Sequence, residues 1–197
     1  MNANDVSLSV VRHARAVARG RCYGQSDVEV ELSPCDAAAR LRDANADWLQ
    51  RVEVIWSSPW ARTRLVAEVL GALIHRPVRV DARLSELHFG QWEGCDWDAI
   101  HRNDGARLAH WARDPMQHAP PGGERGVDLV ARVSEWQRTV LGQRVLAVTH
   151  AGPIRALRAL AQVDSPKDVS LDFERRVEHL VVERVVVTRR VPPRSES

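Results

Sequence analysis

Five residues of this 197-residue chain have side chains suited to handling a phosphoryl group: Arg12, His13, Arg62, Glu86 and His150. A phosphoryl group carries its charge on peripheral oxygens, and its transfer depends on positioning and charge stabilisation. Arg12 and Arg62 can each give paired hydrogen bonds to those oxygens. His150, if protonated, adds a third donor. His13 can attack phosphorus through one ring nitrogen when a hydrogen bond, expected to a backbone carbonyl, holds the other. That attack forms a phosphohistidine. Glu86 can give the leaving alkoxide its proton if the nearby phosphate charge keeps the carboxyl protonated. It can then take a proton from the hydrolytic water.

The elements that must position these groups are legible in the hydrophobic pattern. Residues 6–12 are apolar and β-branched, and read as a buried strand. A polar loop punctuated by Gly20 and Gly24 follows over 15–32. Ser33-Pro34 reads as an N-cap with proline at the first helical position, opening a helix to about residue 50. Residues 52–57 read as a second strand. Ser58-Pro59 repeats the signature, with Ser57 as strand end and Ser58 as N-cap of a helix to about residue 73. A short strand is expected at 78–80 and an irregular segment at 84–94. One or two helices are expected over 96–118 and a break at 120–123. A helix over 124–141, a strand over 144–149 and a helix over 152–163 complete the alternation. Residues 177–191 read as one or two antiparallel edge strands, with a polar tail beyond.

Strands alternating with helices imply βαβ units. The expected fold is α/β: a three-layer α/β/α sandwich with a mostly parallel central sheet and a small helical cap. It is read as one domain over 1–197, with the cap inserted at about 86–122. In such sheets ligands bind outside the carboxyl ends of the strands. Arg12-His13 ends the first strand and Ser57-Ser58 the second, with Arg62 in the next helical turn. Glu86 follows the third strand, and Thr149-His150 ends the strand from 144. One edge therefore collects all five groups, and a helix N-terminus there also favours an anion.

These motifs resemble the histidine phosphatase superfamily, the phosphoglycerate-mutase-like fold. Arg12-His13-Ala14 matches the family's Arg-His-Gly, and Ser57-Ser58-Pro59-Trp60-Ala61-Arg62 its Ser-Ser-Pro-x-x-Arg. Residues 84–94 match its Leu-x-Glu-x-x-x-Gly-x-Trp-Glu-Gly segment, and residues 121–124 its Pro-Gly-Gly-Glu turn. Residues 149–155 match its Thr-His-Gly-Gly-x-Ile-Arg element. Each motif alone is weak; all five in family order, from residue 6 to about 160, are specific. The resemblance implies that His13 is the phosphorylated nucleophile and Glu86 the proton donor. It implies that Arg12, Arg62 and His150 bind phosphate. Ala14 and Ala151 replace family glycines, which matters if either position needs positive φ. Val17 and Ala18 stand where the family often carries a polar residue.

Residues 22–28 resemble a loop of the α-ribazole phosphatase branch, which implies substrate contacts from Tyr23, Gly24 and Gln25 and α-ribazole 5′-phosphate as a substrate. Tyr23, Trp92 or Trp97 could stack on a flat ring, or pack the cap core. Alternatives are a broad-specificity small-molecule phosphatase, a phosphoglycerate mutase, or a non-catalytic phosphate- or partner-binding module on the same fold.

The remaining signals are bland. With 28 Lys plus Arg against 26 Asp plus Glu, no global field points to nucleic acid or membrane. Cys22, Cys35 and Cys95 show no paired spacing, so free thiols in a reducing cytoplasm are expected. No stretch approaches the ~20 apolar residues of a membrane span. No metal-ligand spacing occurs, and neither metal nor cofactor is expected. The expected partner is a small phosphorylated metabolite. The oligomeric state stays open, a homodimer included. Glu93 competes with Glu86 by proximity, and His88 beside Glu86 could touch substrate. His75, His101, His110, His118 and His179 read as surface or cap residues. Arg189 and Arg190 read as a solvated end.

Overall fold

The computed structural model describes residues 5–188; the tail beyond residue 191, with Arg189 and Arg190, lies outside them. The chain runs β1 (Asp5–Arg12), α1 (Pro34–Ala44), α2 (Ala46–Leu49), β2 (Val54–Ser57), α3 (Ala61–Ile74), β3 (Val78–Val80), α4 (Trp97–Arg113), α5 (Gly126–Thr139), β4 (Val145–Thr149), α6 (Ala151–Leu160) and β5 (Val182–Thr188). Among the described residues five strands form one sheet in the order β3-β2-β4-β1-β5. β3, β2, β4 and β1 pair in parallel, and β5 closes the edge antiparallel to β1.

Both faces of the sheet are covered, which is why β2 and β4 read as unbroken apolar runs. On one face, Leu8, Val10, Trp56 and Ala147 pack against Leu129, Val133 and Trp136 of α5 and Ile154 and Leu157 of α6. On the other, Val11, Ile55, Leu146 and Val148 meet Ala38 and Leu41 of α1 and Val66 and Leu70 of α3. The α/β/α layering matches the expectation from alternation. A third cluster joins Cys22, Trp92 and Ile100 to Phe89, Trp97, Leu108 and Trp111, so α4 packs on the loop segments rather than on the sheet.

Several boundaries moved for local reasons. The helix expected to reach residue 50 breaks at Asn45, whose Nδ2 donates to the Leu41 carbonyl and competes with the helical ladder. The 96–118 segment is one helix kinked at Asp104, where the carboxylate accepts from the Trp92 indole and from Arg107. The helix expected from 124 starts at Gly126, because Arg125 is extended (φ −81°, ψ 155°) and the Glu124 amide donates to the His88 carbonyl. Among the described residues no helix is long and apolar enough to cross a membrane.

Candidate active site

Register builds the site. Arg12 pairs with Thr149, and Ser57 with both Val148 and Val80, so β1, β2 and β4 end level. The next residues, His13, Ser58 and His150, therefore leave the sheet side by side. The His13 amide continues the ladder, donating to the Thr149 carbonyl. The imidazoles of His13 and His150 meet edge to face, with centroids 5.1 Å apart and ring planes at 65°. Arg62 enters from the first turn of α3. Arg12, His13, Arg62 and Glu86 line a common cavity of ≈ 390 Å³, and His150 lies fully buried behind His13.

The hydrogen bonds decide which ring atoms are free. His13 Nδ1 lies 2.6 Å from the Ala14 carbonyl. A carbonyl only accepts, so Nδ1 carries the hydrogen and Nε2 keeps its lone pair. His150 Nε2 lies 2.8 Å from Ser58 Oγ. Ser58 is thus not the N-cap expected from Ser58-Pro59; Trp60 occupies that position. Among the described residues, three buried donor positions at the site have no protein partner: Arg12 Nε, Arg62 Nε and His150 Nδ1. An unmet buried donor is costly. Anionic oxygens among these groups would satisfy them together.

Burial pushes the His13 pKa well below its ordinary value of 6.5, with the Arg62 charge acting the same way. Burial, then His13, does the same to His150. Both rings are therefore neutral at pH 7, and His150 can donate through Nδ1 while Nε2 accepts from Ser58. The unfolded chain takes up protons below about pH 6.5 that the folded chain resists, so stability falls as pH falls. The slope reaches about 1.4 kcal/mol per pH unit per histidine. Thermal melts should show Tm dropping from pH 7 to pH 5, and less steeply in His150→Gln. A Tm flat across that interval in the parent protein contradicts the burial-driven shift.

Glu86 is fixed from two sides. Its Oε1 accepts from the amides of Leu87 and Gly152, each at 2.9 Å. Its carbonyl accepts from Arg132, which also bonds the carbonyls of Arg83 and Ser85. Arg132 in turn forms a two-pronged pair with Glu124 at 2.7 and 2.9 Å. Gly152 has no room for a side chain, since a Cβ would run into the Glu86 carboxylate. Gly152→Ala should lower kcat by about 10- to 100-fold through displaced acid. Tm should stay within a few degrees, because the colliding group is a side-chain end. An unchanged kcat would sink the placement of Glu86.

Glu93 has a different task. Its carboxylate accepts from the amides of Gly24, Gln25 and Phe89 and from the Ser26 hydroxyl. Burial alone would raise its pKa, but these hydrogen bonds hold it below the usual carboxylate range. It anchors the loop that Arg62 also grips, at the carbonyls of Gly24 (2.6 Å) and Ser26 (2.5 Å). Tyr23 lines the cavity. Gly24 and Gln25 stand behind its wall, where Gly24 is packed against Leu87, Phe89 and Glu93 and Gln25 Nε2 donates to the Glu86 carbonyl. Trp92 and Trp97 pack with Phe89 and Trp111 in the third cluster, away from the cavity. Neither Ala14 nor Ala151 has positive φ, so replacing the glycines brings no strain.

His179, expected at the surface, instead lines the cavity, with its ring centroid 5.8 Å from that of His13 and its Nδ1 donating to the His13 carbonyl. It arrives through a bridge to Arg12, while the Arg12 guanidinium donates to the Val177 carbonyl. Arg132 was also missed; α5 carries Asp128, Glu135 and Arg138 as well, so no charge pattern in the helix singles it out.

Residues 8–181 match the model of the histidine phosphatase superfamily, branch 1. Glucosyl-3-phosphoglycerate phosphatase of Mycobacterium tuberculosis is 33% identical over 165 residues, 77% of this chain and 73% of that protein. Phosphoserine phosphatase 1 of Hydrogenobacter thermophilus is 28% identical over 170 residues, 82% of this chain and 79% of that one. Among solved structures, Bacillus stearothermophilus YhfR superposes with a TM-score of 0.77 at 28% identity, over 91% of this chain and 90% of its own. The Shigella flexneri α-ribazole phosphatase shares the fold, at 19% identity and a TM-score of 0.79 over 93% and 95% of the two chains. On the family match and these relatives, the chain belongs to the histidine phosphatase superfamily and is a phosphoric monoester hydrolase.

Proposed function

We propose that the chain hydrolyses small phosphorylated metabolites through a phosphohistidine on His13, without a metal ion. The observation that carries this is the protonated Nδ1 of His13, which leaves Nε2 as a neutral nucleophile beside three unmet donors. The ester phosphate sits among Arg12, Arg62 and His150. The Nε2 lone pair forms the N–P bond, and the ester P–O bond breaks. The departing oxygen takes its proton from Glu86, whose Oε1 is held by two amides, leaving Oε2 for the proton. A water then gives a proton to Glu86 and attacks phosphorus; the N–P bond breaks and inorganic phosphate leaves. The guanidinium groups supply the charge stabilisation that a metal gives elsewhere. In this reading the protein is one domain, with residues 86–122 as the cap.

The curated relatives are named for phosphomonoesters of small metabolites, which supports that substrate class here. α-Ribazole 5′-phosphate belongs on the same substrate panel, on the strength of the residue 22–28 loop. The reading is tested by phosphate release from p-nitrophenyl phosphate with and without EDTA. Equal rates are expected. Loss of activity on chelation would overturn the metal-independent mechanism.

A further inference from the structure

The cavity beside His13 is larger and more basic than one phosphate needs. Pockets for small molecules span about 300–1,000 Å³, and this one encloses ≈ 390 Å³. Beyond Arg12 and Arg62, its wall carries Arg15, Arg19, Arg21 and Arg176; Glu86 is the one carboxylate among the described lining residues. Arg19 and Arg176 are already paired, with Glu31 at 2.9 Å and Glu178 at 2.8 Å.

Arg15 and Arg21 differ. Among the described residues, neither side chain has an ion-pair or hydrogen-bond partner. Arg15 is half-buried, and its charge acts against those of Arg12 and His179; Arg21 is exposed at the cavity mouth. Like charges gathered around the partly desolvated Arg15 oppose one another unless an anion enters between them. The phosphoryl group itself is accounted for by the deeper donors. The outer pair is therefore left for a different part of the substrate.

We propose that Arg15 and Arg21 form a second anion subsite, so that the preferred substrates are small phosphomonoesters carrying a further acidic group, either a carboxylate or a second phosphate. This rests on the phosphatase reading above. A guanidinium can grip either acid with two hydrogen bonds. Tyr23 and Val28, on the same wall, contact the uncharged body of the ester. α-Ribazole 5′-phosphate, with one phosphate and no other acid, would leave the outer pair unmatched and would be a poorer substrate.

The test compares esters that differ by one carboxylate: phosphoserine against phosphoethanolamine, and 3-phosphoglycerate against glycerol 3-phosphate. The acid-bearing ester of each pair should have a kcat/KM about tenfold higher or more, in line with one charge-assisted contact. In Arg15→Gln and Arg21→Gln that ratio should fall at least about fivefold, and Arg15→Lys should restore part of it. Both esters are assayed on the same preparation, so partial misfolding cancels from the ratio. Raising ionic strength should shrink the parental ratio as well. A parental ratio near one, or variants that keep the parental ratio, would overturn the subsite. Failure to turn over any of the four esters and p-nitrophenyl phosphate would instead overturn the phosphatase reading, and the subsite with it.

Discussion

Replacing His13 with alanine should reduce kcat by on the order of 10⁴-fold or more, the scale seen when a covalent nucleophile is removed. Of the two neighbouring histidines, only His179 leaves its Nε2 free among the described residues, its Nδ1 being held by a backbone carbonyl as in His13. His150 is fully buried with Nε2 engaged by Ser58, and His179 donates its Nδ1 to a backbone carbonyl at the cavity wall. Folding should survive, because the ring makes its side-chain hydrogen bond only to the adjacent Ala14 carbonyl. Removing a buried imidazole that resists protonation also relieves the folded state at low pH. The expected result is a Tm within a few degrees of the parent and no measurable p-nitrophenyl phosphate turnover. Retained turnover would mean that another group attacks phosphorus.

Arg62→Ala should produce the next largest loss, in both activity and stability. The side chain is 3% exposed and has two tasks. Its terminal nitrogens donate to the Gly24 and Ser26 carbonyls, while its Nε is unmet. Removing one preorganised donor to a developing charge costs about 10²- to 10³-fold in kcat. The buried Gly24 carbonyl also loses its donor, at about 1–3 kcal/mol, and the part-buried Ser26 carbonyl loses one at a smaller cost. Since the same loop is tied through Glu93, it should loosen without detaching. Arg62→Lys retains charge but not the fork and should recover less than about a tenth of parental activity. Kinetics paired with melts would separate the two tasks. An Arg62→Ala protein with normal kcat/KM would show that the guanidinium is only a loop anchor.

The layers and the site edge were legible because β2 and β4 are unbroken apolar runs, and because chemistry-bearing residues follow the strands directly. Arg12-His13 and Thr149-His150 each sit at a strand end, so knowing the strands placed the histidines. What was hidden depends on contacts between distant segments. Nothing local marks His179, which reaches the site only because the segment before β5 bridges back to Arg12. Ser58 carried a cap signature, but the helix begins beyond it at Ala61 and the hydroxyl bonds His150 instead. Glu86 and Glu93 differ by seven positions and share a residue type. In the sequence only motif spacing separates them; in the structure four donors converge on Glu93 and tie it to the loop. Gly24 and Gln25 lie in a loop that borders the cavity, yet their polar groups face Glu93, Arg62 and the Glu86 backbone.

Rapid-quench trapping with ³²P-labelled phosphoserine or p-nitrophenyl phosphate addresses the central claim most directly. The protein should acquire label that is acid-labile and stable to base, and peptide mapping should place it on His13. Glu86→Gln should let that label persist longer, because the hydrolytic water loses its base. Turnover without any trapped protein label, or label mapping to Ser58 or His150, would contradict the phosphohistidine mechanism.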